Sequence, residues 1–264
     1  MSVDASIVGF LSGKGGVGKT SIVANVAVAA ARRGERVLAV DGDLGLSSLD
    51  VFLGLSAERT VAHVLAGDCS FEDAIIEGPS GIHVLAAASG RPDLVGLRPN
   101  ALARLLVPLS AARSRYDRIL VDVGPGVSHT VVSLALACDR VVLVTTPEPA
   151  SLADAYATLK VVSRERPDIA VEVVVNRASS AREARDTHAR IGRVAQRFLA
   201  FELPYLGDLS RDSRFEEAAR RQSSVIQAFP ASPPARELQR LSERLLGARE
   251  GASLGSTTDV SMEA

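Results

Sequence analysis

The sequence is poor in the residues that would tie it to metal, export or a bilayer. Its two cysteines, Cys69 and Cys138, lie far apart and in no CxxC or Cys/His spacing. That excludes a disulfide framework and a zinc site, and suits a reducing compartment. No window has the roughly 18 uninterrupted apolar residues of a spanning helix. The start, MSVDASIVGF, lacks the basic stretch and long apolar run of a signal peptide. A net charge of −1 supplies no global field that would draw the chain onto nucleic acid or anionic lipid. A cytoplasmic protein is therefore expected. Lysine is also scarce: of 30 basic Lys and Arg side chains only Lys14, Lys19 and Lys160 are lysine. Two of these share one glycine-rich loop, LSGKGGVGKTS at 11–21. A chain that otherwise uses arginine has kept lysine twice there, so chemistry local to the loop should account for it.

What is present is the alternation of a globular α/β protein. Short apolar runs at 6–12, 36–41, 82–87, 118–123, 140–146 and 171–176 read as strands. They are nearly continuous in Val, Ile and Leu, as in strands buried on both faces, hence a mostly parallel β-sheet flanked by helices. Helices are predicted near 19–33, 98–113, 130–138, 151–164, 181–200 and 213–221. Two short helical pieces, TVAHVLAG and SFEDAIIEG, fall between the second and third strands, and an amphipathic helix, SPPARELQRLSERLL, closes the pattern. The predicted fold is α/β, doubly wound. With no repeat and no Gly/Ser/Pro-rich linker, residues 1–246 are expected to form a single domain, and 247–264 a disordered polar tail.

Gly13 to Thr20 matches G-x-x-x-x-G-K-[ST] between a predicted strand and a predicted helix, the context that the motif requires. The residues Gly13, Lys14, Gly15, Gly16, Val17, Gly18, Lys19, Thr20 and Ser21 are candidate ATP contacts. Glycines let the backbone turn tightly and aim N–H groups at phosphate oxygens at a helix N-terminus. Lys19 should reach the β- and γ-phosphates, and the Thr20 hydroxyl should bind Mg²⁺. The competing reading, a chance glycine-rich turn, is opposed by the strand, the helix and an acidic partner downstream.

The form KGGVGKT resembles the deviant phosphate loop of the MinD/ParA family. In that family the early lysine crosses a dimer interface to the nucleotide of the other subunit. The resemblance implies that Lys19 serves its own nucleotide and Lys14 its neighbour's. A compact ammonium enters a crowded phosphate site where a flat guanidinium fits poorly. It also implies ATP and Mg²⁺ as ligands, an ATP-dependent homodimer, slow hydrolysis, and Lys14, Lys19 and Asp43 as the catalytic set. In DGDLGLSSLDVFLGL, which looks like switch I, Asp41 would support the Mg²⁺ shell and Asp43 would orient the attacking water, chiefly by positioning. A solvated acidic turn is the alternative for this pair. RILVDVGPG ends a strand at Asp122, the Walker B position, which would hold Mg²⁺ through water; Gly124 and Gly126 frame switch II, and the Gly126 N–H would sense the γ-phosphate. The metal set is thus Thr20, Asp41 and Asp122. His129 is assigned no chemistry.

Guanine-specific relatives carry an [NT]-K-x-D stretch. Here the last long strand ends VVVNRAS, with Asn176 in place but Ser at 179, which favours ATP. Asn176 would pair with the adenine edge and Arg177 would stack on the base; a turn residue closing a strand is the other reading of Asn176.

Over about residues 6–246 the chain resembles the FlhG/FleN branch of MinD-like ATPases, which govern flagellar number and placement. The carriers are DGDLGLSSLDVFLGL, GPSGIHVLAAASG, EPASLADAYATLKVV and RRQSSVIQAFPASPPARELQRLSERL. The implied partners are a flagellar SRP-type GTPase, the flagellar basal body or a transcriptional regulator. Members of the branch often carry an activating N-terminal extension, and this chain, with its first strand near residue 6, is expected to lack one. Its last residues, beyond Arg249, hold acids and no Lys or Arg, so anionic lipid would repel them. Leu238, Leu241, Leu245 and Leu246 share one helix face, expected to pack on the sheet rather than on membrane. The protein would then reach the membrane or the pole through partners. Arg182, Arg185, Arg190, Arg193 and Arg197 form a basic stripe, either a solvated face or the nonspecific DNA patch of a ParA-type partitioning ATPase. An iron–sulfur reductase would need cysteines just after switch II, whereas Cys138 reads as part of a core helix. A module that holds ATP without hydrolysing it is the remaining class.

Overall fold

In the computed structural model, which describes residues 5–44, 48–87 and 99–247, strands and helices alternate from the first residues onward. The first half comprises β1 (Ser6–Leu11), α1 (Lys19–Ala31), β2 (Val37–Gly42), α2 (Leu49–Leu53), α3 (Val61–Ala66), β3 (Ile75–Glu77), β4 (His83–Leu85), α4 (Pro99–Ala111) and β5 (Arg118–Val123). The second comprises α5 (His129–Leu136), β6 (Arg140–Thr145), α6 (Pro149–Glu165), β7 (Ala170–Ala178), α7 (Ala181–Leu199), β8 (Tyr205–Ser210), α8 (Ser213–Arg220), α9 (Val225–Ala228) and α10 (Pro233–Leu246). The strands join in the order β3-β4-β2-β5-β1-β6-β7-β8. All pairings are parallel except β3 with β4.

The uninterrupted apolar runs have a simple cause: both faces of the sheet are covered. Along β1, Ile7 and Leu11 enter one apolar layer, with Leu38, Ile119 and Leu143. Val8 and Phe10 enter the other, with Ala39, Leu120 and Val142. Burying each such side chain contributes about 1.5–3 kcal/mol, so no strand position in the middle of the sheet can be polar without loss. In α1 even the small residues from Ile22 to Ala30 are buried, because the sheet lies on one side and α10 and α2 on the other. Leu238, Leu241, Leu245 and Leu246 of α10 are buried in that same layer, so the amphipathic face is spent on packing, as expected. Among the described residues no helix is long and apolar enough to cross a membrane.

Two local readings are corrected and two elements are added. SFEDAIIEG is not a helix: a single 3-10 turn at Glu72–Ala74 leads directly into β3, since Ile75 and Ile76 pair antiparallel with Leu85 and Val84. The segment YLGDLS forms β8, which local propensity hides because Gly207 and Asp208 interrupt it; pairing with β7 supplies the strand. Glu237 of α10 then accepts hydrogen bonds from the Ser210 N–H and hydroxyl on the sheet's outer edge, both 2.9 Å. Cys138 lies beyond the end of α5, buried, with its thiol donating to the Leu134 carbonyl. Burial pushes that thiol up to about 12. Residues 49–53, read only as part of switch I, form the short helix α2. The tail expected at 247–264 lies, apart from Gly247, outside the described residues, as do residues 45–47 of switch I.

Candidate functional site

The site forms where β1, β2, β5, β6 and β7 end, on the carboxyl edge of a parallel sheet, the usual ligand edge of such folds. The loop from β1 to α1 depends on glycine at defined places. A Cβ on Gly13 would run into the Asp154 backbone of α6. Gly16 (φ 78°) and Gly18 (φ 91°) take left-handed conformations, which cost an L side chain about 1–2 kcal/mol. Gly18 also caps α1 without any side-chain hydrogen bond, so the first N–H groups of α1 are not satisfied by a capping side chain.

At the inner end of the loop four predicted residues converge. The Lys19 ammonium binds Asp122 Oδ1, and the Thr20 hydroxyl donates to Asp122 Oδ2 at 2.6 Å. Asp41 and Asp122 are register partners on β2 and β5, and both are fully buried. Asp41 accepts from the Asp43 N–H on Oδ1 and from the Ser48 and Leu49 N–H groups on Oδ2, each at 3.0 Å. Ser48 Oγ in turn shares a 3.1 Å hydrogen bond with Thr20 Oγ1. Burial, reinforced by the negative charge of Asp122, pushes the Asp41 carboxyl up to about 7 despite those three N–H donors. Two buried carboxylates and one buried ammonium leave an excess of negative charge among hard oxygen donors. That donor set suits Mg²⁺.

Asp43 lies against switch II: a Cβ on Gly124 would sit 3.4 Å from Asp43 Oδ1. Gly126 (φ 87°) turns its N–H toward the phosphate loop, where it donates to the Ser12 carbonyl at 2.9 Å. Lys14 is turned to the surface. Its ammonium is 3.3 Å from Glu148 Oε2, and both side chains are about half exposed to water.

Asn176 braces the loop. Its Nδ2 donates to the Val17 carbonyl at 2.7 Å and its Oδ1 accepts from the Arg177 N–H at 2.9 Å. Arg177 holds φ 57°, a left-handed conformation for a branched-out side chain at the mouth of the site. Both residues line a cavity of about 490 Å³ together with Gly18, Ser21, Phe52 and Phe215. Ser21 Oγ is buried there without a hydrogen-bond partner, a polar group whose lost hydration an incoming oxygen-rich ligand would restore. The glycine cradle, the orphaned hydroxyl and the carboxylate cluster fit a nucleotide polyphosphate with its divalent cation. Phe52, Phe215, Thr146 and Glu148 were not singled out from sequence. Phe52, in DGDLGLSSLDVFLGL, and Glu148, in EPASLADAYATLKVV, lay within segments already quoted for their resemblance, whereas Phe215 and Thr146 did not.

The sequence model of the family described as "ParA: NUBPL iron-transfer P-loop NTPase" matches residues 4–246. The antiactivator FleN of Pseudomonas aeruginosa is 38% identical over 226 residues, covering 86% of this chain and 81% of that protein. The flagellum site-determining protein YlxH of Helicobacter pylori is 31% identical, covering 86% of this chain and 77% of its own length. Among solved structures, the septum site-determining protein MinD of Pyrococcus horikoshii, complexed with Mg-ADP, superposes with a TM-score of 0.74 at 28% identity, covering 91% of this chain and 96% of that one.

Proposed function

The chain belongs to the ParA/MinD family of P-loop NTPases, and from that premise we propose that it is a dimerising switch gated by its nucleotide. It is an ATPase whose ligands are ATP and Mg²⁺. Bound Mg²⁺ supplies charge neutralisation at the phosphates. The chain's own residues do the rest. Thr20, Asp41 and Asp122 would hold the metal shell, with Asp41 kept in place by the N–H groups of Asp43, Ser48 and Leu49. Lys19 exchanges Asp122 for phosphate oxygens, and Asp43, set against Gly124, orients the attacking water. Asn176 keeps the loop in shape by its bond to Val17, and its remaining amide hydrogen would pair with the base beside Arg177.

Lys14 is the residue on which the switch turns. The observation that carries this reading is its position: on the outer rim, half in water and paired to Glu148, rather than turned toward its own Asp122 cluster. A lysine so placed is available to a second copy of the chain, which makes hydrolysis depend on pairing of subunits as an arginine finger makes it depend on a partner. Lys14→Ala is expected to keep ATP binding and lose hydrolysis, together with ATP-dependent dimerisation in sedimentation with a non-cleavable analogue and Mg²⁺. Unchanged turnover would overturn the role in trans.

The similarity to FleN and YlxH supports control of flagellar number and placement as the output. The partners would be an SRP-type GTPase, a basal-body component or a transcriptional regulator. A ParA-type partitioning role is the second reading, favoured by one observation: Arg182, Arg185, Arg190, Arg193 and Arg197 are all exposed on α7. A gel shift on nonspecific DNA with ATP, repeated across salt concentrations, separates the two.

A further inference from the structure

The cavity beside the phosphate loop has a feature that phosphate chemistry does not use. Two phenyl rings, Phe52 from α2 and Phe215 from α8, line it, each half-buried against the apolar layer under α1. Neither can bond a phosphate, and the other lining residues named above are polar or glycine. A flat, polarisable ligand face is what such rings bind, at a stabilisation of about 1–3 kcal/mol per base. The two rings differ in what they are attached to. Phe215 stands on α8, whose cap is its own Asp212. Phe52 stands on a helix whose first turn is part of the metal cluster. Ser48 and Leu49 give their N–H groups to Asp41, Ser48 Oγ touches Thr20 Oγ1, and the Phe52 N–H closes the turn on the Ser48 carbonyl at 2.9 Å. The far end of α2 is held as well. Gln222 Nε2 donates to the Val51 carbonyl at 3.2 Å, and Gly54 packs over the Gln222 backbone, where a Cβ would have only 3.3 Å. Leu49 and Leu53 are buried on its inner side. A helix of five residues pinned at both ends moves as one body, so pressure on Phe52 is felt at Ser48.

We propose that Phe52 is a positioning residue: the base of the bound nucleotide rests on it, and α2 transmits that contact to Ser48, Asp41 and Thr20, so that the metal cluster is set for hydrolysis only when a base is present. Phe215 forms the other apolar wall and contributes affinity alone. The proposal rests on the reading of this cavity as the ATP site.

The test is steady-state ATPase kinetics of the full chain with Mg²⁺, alongside binding of inorganic tripolyphosphate, which has no base. Phe215→Ala should raise KM roughly tenfold with kcat within about twofold of wild type, the size set by one lost stacking contact. Phe52→Ala should raise KM similarly and also lower kcat at saturating ATP about tenfold. Phe52→Leu, which keeps an apolar anchor and guards against a folding defect, should recover kcat while KM stays raised. Tripolyphosphate should bind wild type and all three variants alike. A Phe52→Ala enzyme with wild-type kcat, or one that also loses tripolyphosphate, would overturn the proposal. If the wild-type chain neither binds nor hydrolyses ATP, it is the parent reading that falls instead; if it turns over and the two alanine variants behave alike, this inference alone falls.

Discussion

Lys14 and Lys19 belong to one loop and one residue type, yet they live in opposite surroundings. The Lys19 side chain is 7% exposed against an Asp122 that is fully buried, whereas Lys14 and Glu148 are 46% and 62% exposed. The inner pair must be electrically complete, because a charge left alone in the interior is costly. The outer pair is solvated whether or not it forms, so its geometry can be given up at little cost. Burial, more than residue type, separates a lysine that holds its own site together from one that is free to serve another.

The contrast is broken most strongly from the inside. Lys19→Ala leaves Asp122 and Asp41 facing each other without a cation, and is expected to destabilise the nucleotide-free protein by about 3–5 kcal/mol, besides abolishing ATP binding. Chemical denaturation measures the first effect and equilibrium dialysis the second; a stability change below about 1 kcal/mol would mean that the inner pair is as loosely held as an exposed one. Next comes pH. The Asp41 carboxyl is raised from 3.8 to about 7 in the folded chain. Between those values the folded state therefore binds more protons than the unfolded one, and the contribution of this group to stability falls as pH rises through that window. A carboxyl titration followed by NMR on the nucleotide-free protein should place the Asp41 midpoint near 7, and added Mg²⁺ should pull it down. A midpoint in the ordinary range near 4 would show a hydrated site. The smallest effect is expected at the rim: Lys14→Ala or Glu148→Ala should change unfolding free energy by about 0–1 kcal/mol, the worth of an exposed pair.

How much could be read in advance differs between these regions for physical reasons. The turn of the phosphate loop was legible because its backbone conformation is what glycine spacing records directly. Asp41 and Asp122 were legible because each ends an apolar run at the carboxyl edge of a strand, where a parallel sheet presents its ligands. Asn176 was found but its bond was not: pairing with Val17 joins positions 159 residues apart, and no local pattern records such a contact. Phe52 lay within the stretch that looks like switch I, yet neither it nor Phe215 was marked by its own side chain, since a phenylalanine beside apolar neighbours reads as core. β8 escaped for a related reason, its strand character coming from β7 and from Glu237 rather than from its own residues.

By itself, the order of residues determined the α/β alternation, the doubly covered sheet, the nucleotide loop and the family. Each of these is written in short-range periodicity or in a motif of contiguous residues. Only the tertiary structure decided which lysine is buried, that burial beside Asp122 on the neighbouring strand raises the proton affinity of Asp41, and that a five-residue helix joins the cavity wall to the carboxylate cluster. Those properties depend on dielectric environment and on distance across the fold, and neither exists until the chain has closed on itself.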